Sequence, residues 1–372
     1  MRATRAIIRL DNLRHNIQIV KELVSRTGKE IKISMAVKAD AYGHGAIKIA
    51  HVALEEGVYS LGVATVDEGM ELREAGIKAP ILLLGFPLPE EIAQIVSADM
   101  TPYVADLELT RLFEKEALKQ GKRLPVHLKI DTGMGRIGCQ PSSVPQIAAA
   151  IAVSHNLAIE GLATHFPLSD TTDPAFTLAQ AEMIKSILSD LAKANLRPPI
   201  VSAANSGAII AMPETYFNMV RPGIMLYGYY PSKEQGRSLA LKPVMELVTR
   251  INFLKKVKKG TPLSYGHTWT ADQDTWIATL PAGYGDGYSR LLSNRGYVNI
   301  GGKRYPVRGR VCMDQTLVDI GPVCTANLYD DVMLFGNCEN GPDAEEIALL
   351  MNTIPYEVTC LITRRVPRVY VE

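Results

Sequence analysis

Two hydrophobic rhythms alternate through about the first 230 positions. Short apolar, β-branched runs occupy 31–37, 59–64, 80–85, 101–104, 126–130, 159–164, 199–203 and 218–221, and each reads as a strand. Between them lie stretches with helical spacing. In 11–25 the apolar residues Leu13, Ile17, Val20 and Val24 recur at about every third or fourth position behind an N-cap candidate, Asp11. Segments 45–56, 67–75, 89–96, 107–120, 144–152 and 174–194 read similarly. Alternating strands and helices pair in parallel through right-handed crossovers, and eight units of this length fit a (β/α)8 TIM-like barrel better than an open sheet. Such a barrel carries its chemistry at the C-terminal ends of its strands, where Lys38, Asp131, Arg136, His165, Asn205 and Arg221 fall.

The rhythm changes after Tyr230. A polar stretch, 231–242, leads into short strand-like runs at 244–257, 276–280, 297–300, 305–307, 317–320, 332–335 and 366–371, with one clear helix at 343–351. The expected organisation is a barrel over 1–232 and a smaller, mostly-β domain over 233–372.

Composition narrows the function classes. Forty Lys and Arg against 39 Asp and Glu leave a net charge of +1, which argues against a nucleic-acid partner or a polybasic membrane anchor. The longest apolar stretch, near 81–86, is far short of the roughly 20 residues a membrane helix needs. The start shows no signal-peptide run, so a soluble cytoplasmic protein is expected. Five cysteines (Cys139, Cys312, Cys324, Cys338 and Cys360) without a CxxC pair point to neither a disulfide framework nor a zinc site, and no metal is expected.

Several clusters could carry chemistry. Lys38 ends the first strong strand within Val37-Lys38-Ala39-Asp40-Ala41-Tyr42-Gly43-His44-Gly45. Burial there would disfavour the charged amine, as Schiff-base chemistry requires, and Tyr42, Gly43 and Gly45 suit close approach of a ligand. The alternative is a snorkelling surface lysine. Residues 129–138 contain a formal G-x-G-x-x-G, but Pro141 and Pro145 leave no room for the helix a dinucleotide fingerprint needs. That loop reads as presenting Arg136 to an anion or phenolate above Lys129 and Asp131, or as a rim ion-pair cluster. His165 is either a satisfied core histidine or part of the site. Ser206, Gly223 and Ile224 follow the seventh and eighth strands, where barrels build phosphate cups, although Gly223 also reads as a plain turn glycine. In the second domain the segments 264–267, 283–288, 310–315 and 355–358 are polar. Tyrosine acts as a base only where positive charge stabilises its phenolate.

In order along the chain, VKADAYGHG, LKIDTGMGRIG, THF, ANSG, RPGIMLYG, SYGHTW, GYGDGYSR, GRVCMDQ and PYEVTC resemble segments of the bacterial alanine racemases, enzymes that use pyridoxal 5'-phosphate. The resemblance implies a homodimer with shared active sites that interconverts L- and D-alanine by two opposed bases and supplies D-alanine for peptidoglycan. Lys38 would hold the cofactor covalently and serve as one base, with Tyr265 of the partner subunit as the other. Arg221, held by His165, would face the pyridine nitrogen, and Arg136 the phenolic oxygen. Tyr42, Asn205, Ser206, Gly223, Ile224 and Tyr356 would hold the cofactor around its phosphate. Met313 of the partner subunit, with Arg136, would meet the substrate carboxylate, while the partner's Tyr284, Cys312 and Asp314 line the site. Lys129 matches a lysine that is carbamylated in many members. Asp170, Arg290 and Arg310 resemble residues of the entrance corridor. Racemisation of another small amino acid such as serine, or decarboxylation by a related pyridoxal-phosphate enzyme, is the alternative.

Overall fold

The computed structural model describes residues 2–235, 237–336 and 340–372, so Cys338 and Gly236 lie outside the described residues. The first strand, β1 (Arg5–Arg9), runs straight into the helix Leu10–Ser25. Among the described residues, eight parallel strands then close a barrel: β2 (Lys32–Ala36), β3 (Ser60–Val63), β4 (Ile81–Leu83), β5 (Thr101–Val104), β6 (Leu124–Lys129), β7 (Leu157–Ala163), β8 (Ile200–Ser202) and β9 (Met219–Val220). Closure comes from β9 pairing with β2, Lys32 opposite Met219. Each expected strand is present, and helices such as Val66–Glu74, Leu107–Lys119 and Ala175–Lys193 fall where the 3.6-residue spacing put them.

The helix after β1 buries Leu13, Ile17, Val20 and Val24 as expected. Its N-cap is Arg9 rather than Asp11, because the helix begins as soon as β1 ends. Arg9 still pairs in the sheet, with its guanidinium bonded to Glu246 at 2.7 and 3.1 Å. Asp11 lies in the first turn, where a negative charge complements the helix dipole.

The second domain contains β10 (Met245–Arg250), β11 (Phe253–Val257), β12 (Pro262–Leu263), β13 (Trp269–Thr270), β14 (Thr275–Leu280), β15 (Tyr297–Ile300), β16 (Lys303–Pro306), β17 (Thr316–Gly321), β18 (Asp331–Phe335) and β19 (Arg368–Val371). Among the described residues its larger sheet runs β16-β15-β18-β10-β1-β19. The chain's first strand therefore lies inside the second domain's sheet, antiparallel to β10 and parallel to β19, and a single cut at 232 does not separate the two units. The run expected over 244–257 is also divided, into β10 of this sheet and β11 of a three-stranded one. The helix Pro355–Cys360, which the hydrophobic pattern did not predict, returns the chain to the barrel mouth.

Candidate active site

The loop after β2 departs most from local expectation. Ala39, Asp40, Ala41 and Tyr42 all lie in the left-handed region, with φ of 52–53°. Each non-glycine residue there costs about 1–2 kcal/mol, so the turn holds roughly 4–8 kcal/mol of strain. Long-range bonds sustain it. Glu68 accepts from the Ala39 amide at 2.6 Å and from the Ala64 amide at 2.7 Å. Asp40 accepts from the Ala46 amide at 2.8 Å. Buried His44 donates from Nδ1 to the Ala41 and Tyr42 carbonyls at 3.0 and 2.9 Å. Arg368 Nε donates to the Gly43 carbonyl at 3.0 Å. The turn fixes Lys38 at the barrel mouth and brings the buried Tyr42 ring against Tyr227 and Tyr356.

Lys38 lines a cavity of about 430 Å³ with Lys129, Arg136, His165 and Arg221. Burial, then the positive field of Arg136, lowers the Lys38 pKa, so the free amine is favoured over an exposed lysine's. Lys129, at the end of β6, is buried and among the described residues forms no salt bridge. Burial and the adjacent Arg221 and Arg136 drive its pKa well below the ordinary value. His165 is pushed down to about 2 by burial, then by Arg221, and is therefore neutral. Arg221 is anchored by the Ser202 hydroxyl at 2.5 Å and the Thr164 carbonyl at 2.6 Å, with Nη2 donating to His165 Nδ1 at 3.4 Å.

The loop bearing Arg136 is not a dinucleotide motif. No helix starts within it; a single 3-10 turn, Pro141–Ser143, leads into the next α-helix, Val144–Ala152. Asp131 instead accepts from the Gly133 and Gly135 amides at 2.9 and 3.1 Å, which folds the loop back and leaves Arg136 exposed at the rim. At Gly138 a φ of +132° and a Cβ position 2.5 Å from the Asp131 amide nitrogen leave room for glycine alone.

At the other side of the cavity, Ser206 Oγ accepts from the Gly223 amide at 3.0 Å, and a Cβ on Gly223 would sit 2.9 Å from the Tyr42 hydroxyl. Asn205 braces this corner, donating to the Phe166 carbonyl at 3.0 Å and accepting from the Ser169 hydroxyl at 2.6 Å. Ile224 is fully buried and opens the short helix Ile224–Tyr227. The Tyr42 and Ser206 hydroxyls and the Gly223 amide meet at this corner, a donor set of the kind that binds a phosphate. A covalently held pyridoxal phosphate fits the whole set: an amine for its aldehyde, arginines for its ring, and a cup for its phosphate. Burial, then Tyr42 and the charge of Asp170, holds the Tyr356 phenol well above its ordinary pKa.

Tyr265, Tyr284, Cys312 and Met313 do not line this cavity. They gather on the second domain, with Tyr265 71% and Met313 52% exposed. Ser264 Oγ bonds the Arg310 carbonyl at 2.6 Å, and the Tyr284 amide donates to the Cys312 carbonyl at 3.0 Å. Arg290 is exposed nearby, its carbonyl bonded to the Ser293 hydroxyl, which also accepts from the Val311 amide at 3.0 Å. Asp314 pairs with Arg365 at 2.7 Å.

Comparison with known proteins agrees with this two-part arrangement. Residues 8–231 match the model of the alanine racemase N-terminal domain, and 244–370 that of the C-terminal domain. The chain belongs to the alanine racemase family. An alanine racemase of Treponema denticola is 46% identical over all of this chain and 99% of its own length. The solved alanine racemase of Clostridium difficile is 40% identical with a TM-score of 0.95, covering all of this chain and 96% of that one. A Bartonella henselae member, solved with covalently bound pyridoxal phosphate, is 26% identical with a TM-score of 0.88 over the full length of both. The protein is accordingly an isomerase of this family. Among the described residues no helix is long and apolar enough to cross a membrane.

Sequence reasoning missed Glu68, which fixes the amide after Lys38, and Tyr103, which lines the cavity floor. The first carried a visible signal, the Thr65-x-x-Glu68 capping box, though not its second task. Tyr103 carried none beyond its place at a strand end.

Proposed function

We propose that the protein interconverts L- and D-alanine with pyridoxal 5'-phosphate held on Lys38, as a cytoplasmic homodimer whose D-alanine feeds peptidoglycan. One observation carries this reading: an amine of lowered pKa shares a cavity with two arginines and with Tyr42, Ser206 and Gly223, while the residues expected opposite it stand exposed on the same chain's second domain. The cofactor, when bound, withdraws electrons and so acidifies the Cα–H of an attached amino acid. Tyr42, Ser206 and Tyr356, with the amides of Gly223 and Ile224, would hold its phosphate; Arg221 would face its ring nitrogen and Arg136 its phenolic oxygen. Met313 of the partner subunit joins Arg136 at the substrate carboxylate.

Lys38 Nζ serves one face of Cα, and Tyr265 of the partner subunit serves the other. For L-alanine the partner's Tyr265 would take the Cα proton, and Lys38 Nζ, carrying the proton brought in by the substrate's ammonium group, would return one to the opposite face; D-alanine would reverse both transfers. Lys129 takes up CO2 as a carbamate that holds Arg136. Purified protein with L-alanine and pyridoxal phosphate should reach an even mixture of enantiomers by chiral chromatography, and Tyr265→Ala should slow proton removal from L-alanine far more than from D-alanine, read by α-deuterium isotope effects. Failure to form D-alanine refutes the activity, and equal slowing refutes the division of faces.

A further inference from the structure

Three turns of the second domain are locked together beneath the exposed Met313. The Tyr284 and Gly285 amides donate to the Cys312 and Met313 carbonyls at 3.0 and 2.9 Å. The two turns lie flush, since a Cβ on Gly283 would come within 2.5 Å of the Met313 carbonyl oxygen. Under them sits Asp286, with no exposed side-chain surface, accepting from the Gly283 amide at 3.1 Å. Its carboxylate is paired with Arg2 at 2.6 Å and with Arg365 Nε at 3.4 Å. Arg365 then reaches outward, Nη2 to Asp314 at 2.7 Å. The third turn is tied in by the Thr363 hydroxyl bonding the Gly285 carbonyl at 2.9 Å and by Arg2 Nη1 donating to the Arg365 carbonyl at 2.9 Å.

Two arginines thus balance two aspartates, and among the described residues only Arg365 pairs with both. Asp314 is the neighbour of the residue that meets a substrate carboxylate. Left unpaired, its charge would repel that carboxylate, and the turn would lose its one side-chain tether to Asp286. A planar guanidinium bridges two carboxylates in a fixed geometry that a lysine ammonium cannot copy. We infer that Arg365 is a positioning residue for substrate binding: it neutralises Asp314 and sets the Cys312–Asp314 turn so that Met313 receives the alanine carboxylate in the partner subunit's cavity. The inference rests on the shared-site reading above.

Arg365→Ala should raise the KM for L-alanine, and the Kd for propionate (alanine without its amine) read from the absorbance of bound cofactor, by about tenfold. The change in kcat should be smaller, with cofactor loading and melting temperature held. Arg365→Lys should fall between, and serves if the alanine variant folds poorly. An unchanged KM and Kd in both variants overturns the role. Mixed dimers locate it. Coexpressed Arg365→Ala and Lys38→Ala chains leave one competent cavity, on the Arg365→Ala chain, and the turn of the other chain, with Arg365 intact, serves that cavity. Its KM should return to the wild-type value; a KM that stays raised means that Arg365 acts within its own chain, and the inference fails. A parallel mixture of Lys38→Ala with Tyr265→Ala should regain activity, and its silence would overturn the shared-site reading and the inference with it.

Discussion

The left-handed turn after Lys38 makes a prediction of sign. Ala39 is exposed at φ 52°, ψ 51°, and its side chain buries nothing. Replacing it with glycine removes a strain of about 1–2 kcal/mol and loosens the unfolded chain by about 0.4–1 kcal/mol, a net gain of roughly 0.5–1 kcal/mol. The Ala39 amide keeps its 2.6 Å bond to Glu68 in either variant. Ala149, exposed within the regular helix Val144–Ala152, supplies the contrast. There the same substitution should lose about 1 kcal/mol. Ala39→Val, β-branched at positive φ, should lose stability as well. Urea unfolding of the cofactor-free protein, compared at constant m, measures all three. Should Ala39→Gly and Ala149→Gly destabilise alike, the turn is not left-handed, and the account of how Lys38 is aimed fails with it.

Gly223→Ala places a methyl against the Tyr42 hydroxyl and should weaken pyridoxal phosphate binding by about 10- to 100-fold, the worth of one or two bonds to a charged group; an unchanged Kd by fluorescence titration would remove the phosphate from that corner. The amine of Lys129, its pKa depressed by burial and by Arg221 and Arg136, should add CO2, lose a proton and leave an anion that offsets that positive charge; 13C-bicarbonate should give a carbamate resonance that Lys129→Ala abolishes, and its absence from the intact protein rejects the modification. His44 is held at about 4, below its ordinary 6.5, so the unfolded chain takes up a proton that the folded one refuses as pH falls between those values. Stability should be present above pH 6.5 and decline by about 1.4 kcal/mol per unit toward pH 4, and His44→Asn should flatten that slope by one proton's worth; parallel profiles would show that His44 is not buried neutral.

The barrel was legible because its strands are short apolar runs and its helices carry a local 3.6-residue stripe, signals that need no distant partner. Position alone then placed Lys38, Asp131, Arg136, His165, Asn205 and Arg221 at the strands' C-terminal ends. Nonlocal pairing was not legible. The alternation in Arg5–Arg9, with Ala6 and Ile8 buried, is a strand pattern, but its partners β10 and β19 lie at the other end of the chain. The left-handed run contains no glycine from 39 to 42, so local propensity opposes what Glu68, His44 and Arg368 impose together. Glu68, Asp286 and Arg365 are ordinary charged residues in the sequence; only the bonds that join distant turns distinguish them.

The charges at the barrel mouth explain why these groups belong together. Lys38, Lys129, Arg136 and Arg221 all face one small cavity, and Asp131 is largely occupied by its own loop amides. Crowded cations in a partly buried space favour release of a proton from whichever can lose one, and arginine does not. The two lysines therefore yield, which leaves Lys38 nucleophilic and Lys129 open to CO2, while the arginines keep a field that suits phenolate, phosphate and carboxylate. Arg221 follows the same logic at the ring nitrogen. Its guanidinium is fixed by Ser202 and Thr164, and it donates hydrogen bonds without surrendering a proton. Under the proposed function, a pyridine nitrogen facing Arg221 would gain no proton from it, so the cofactor would be a weaker electron sink and return of a proton at Cα would be favoured over return at a remote carbon. On the proposed mechanism two flanking bases and a weak electron sink would be one design: the second would make the first necessary, and both would favour racemisation over other fates of the same amino acid.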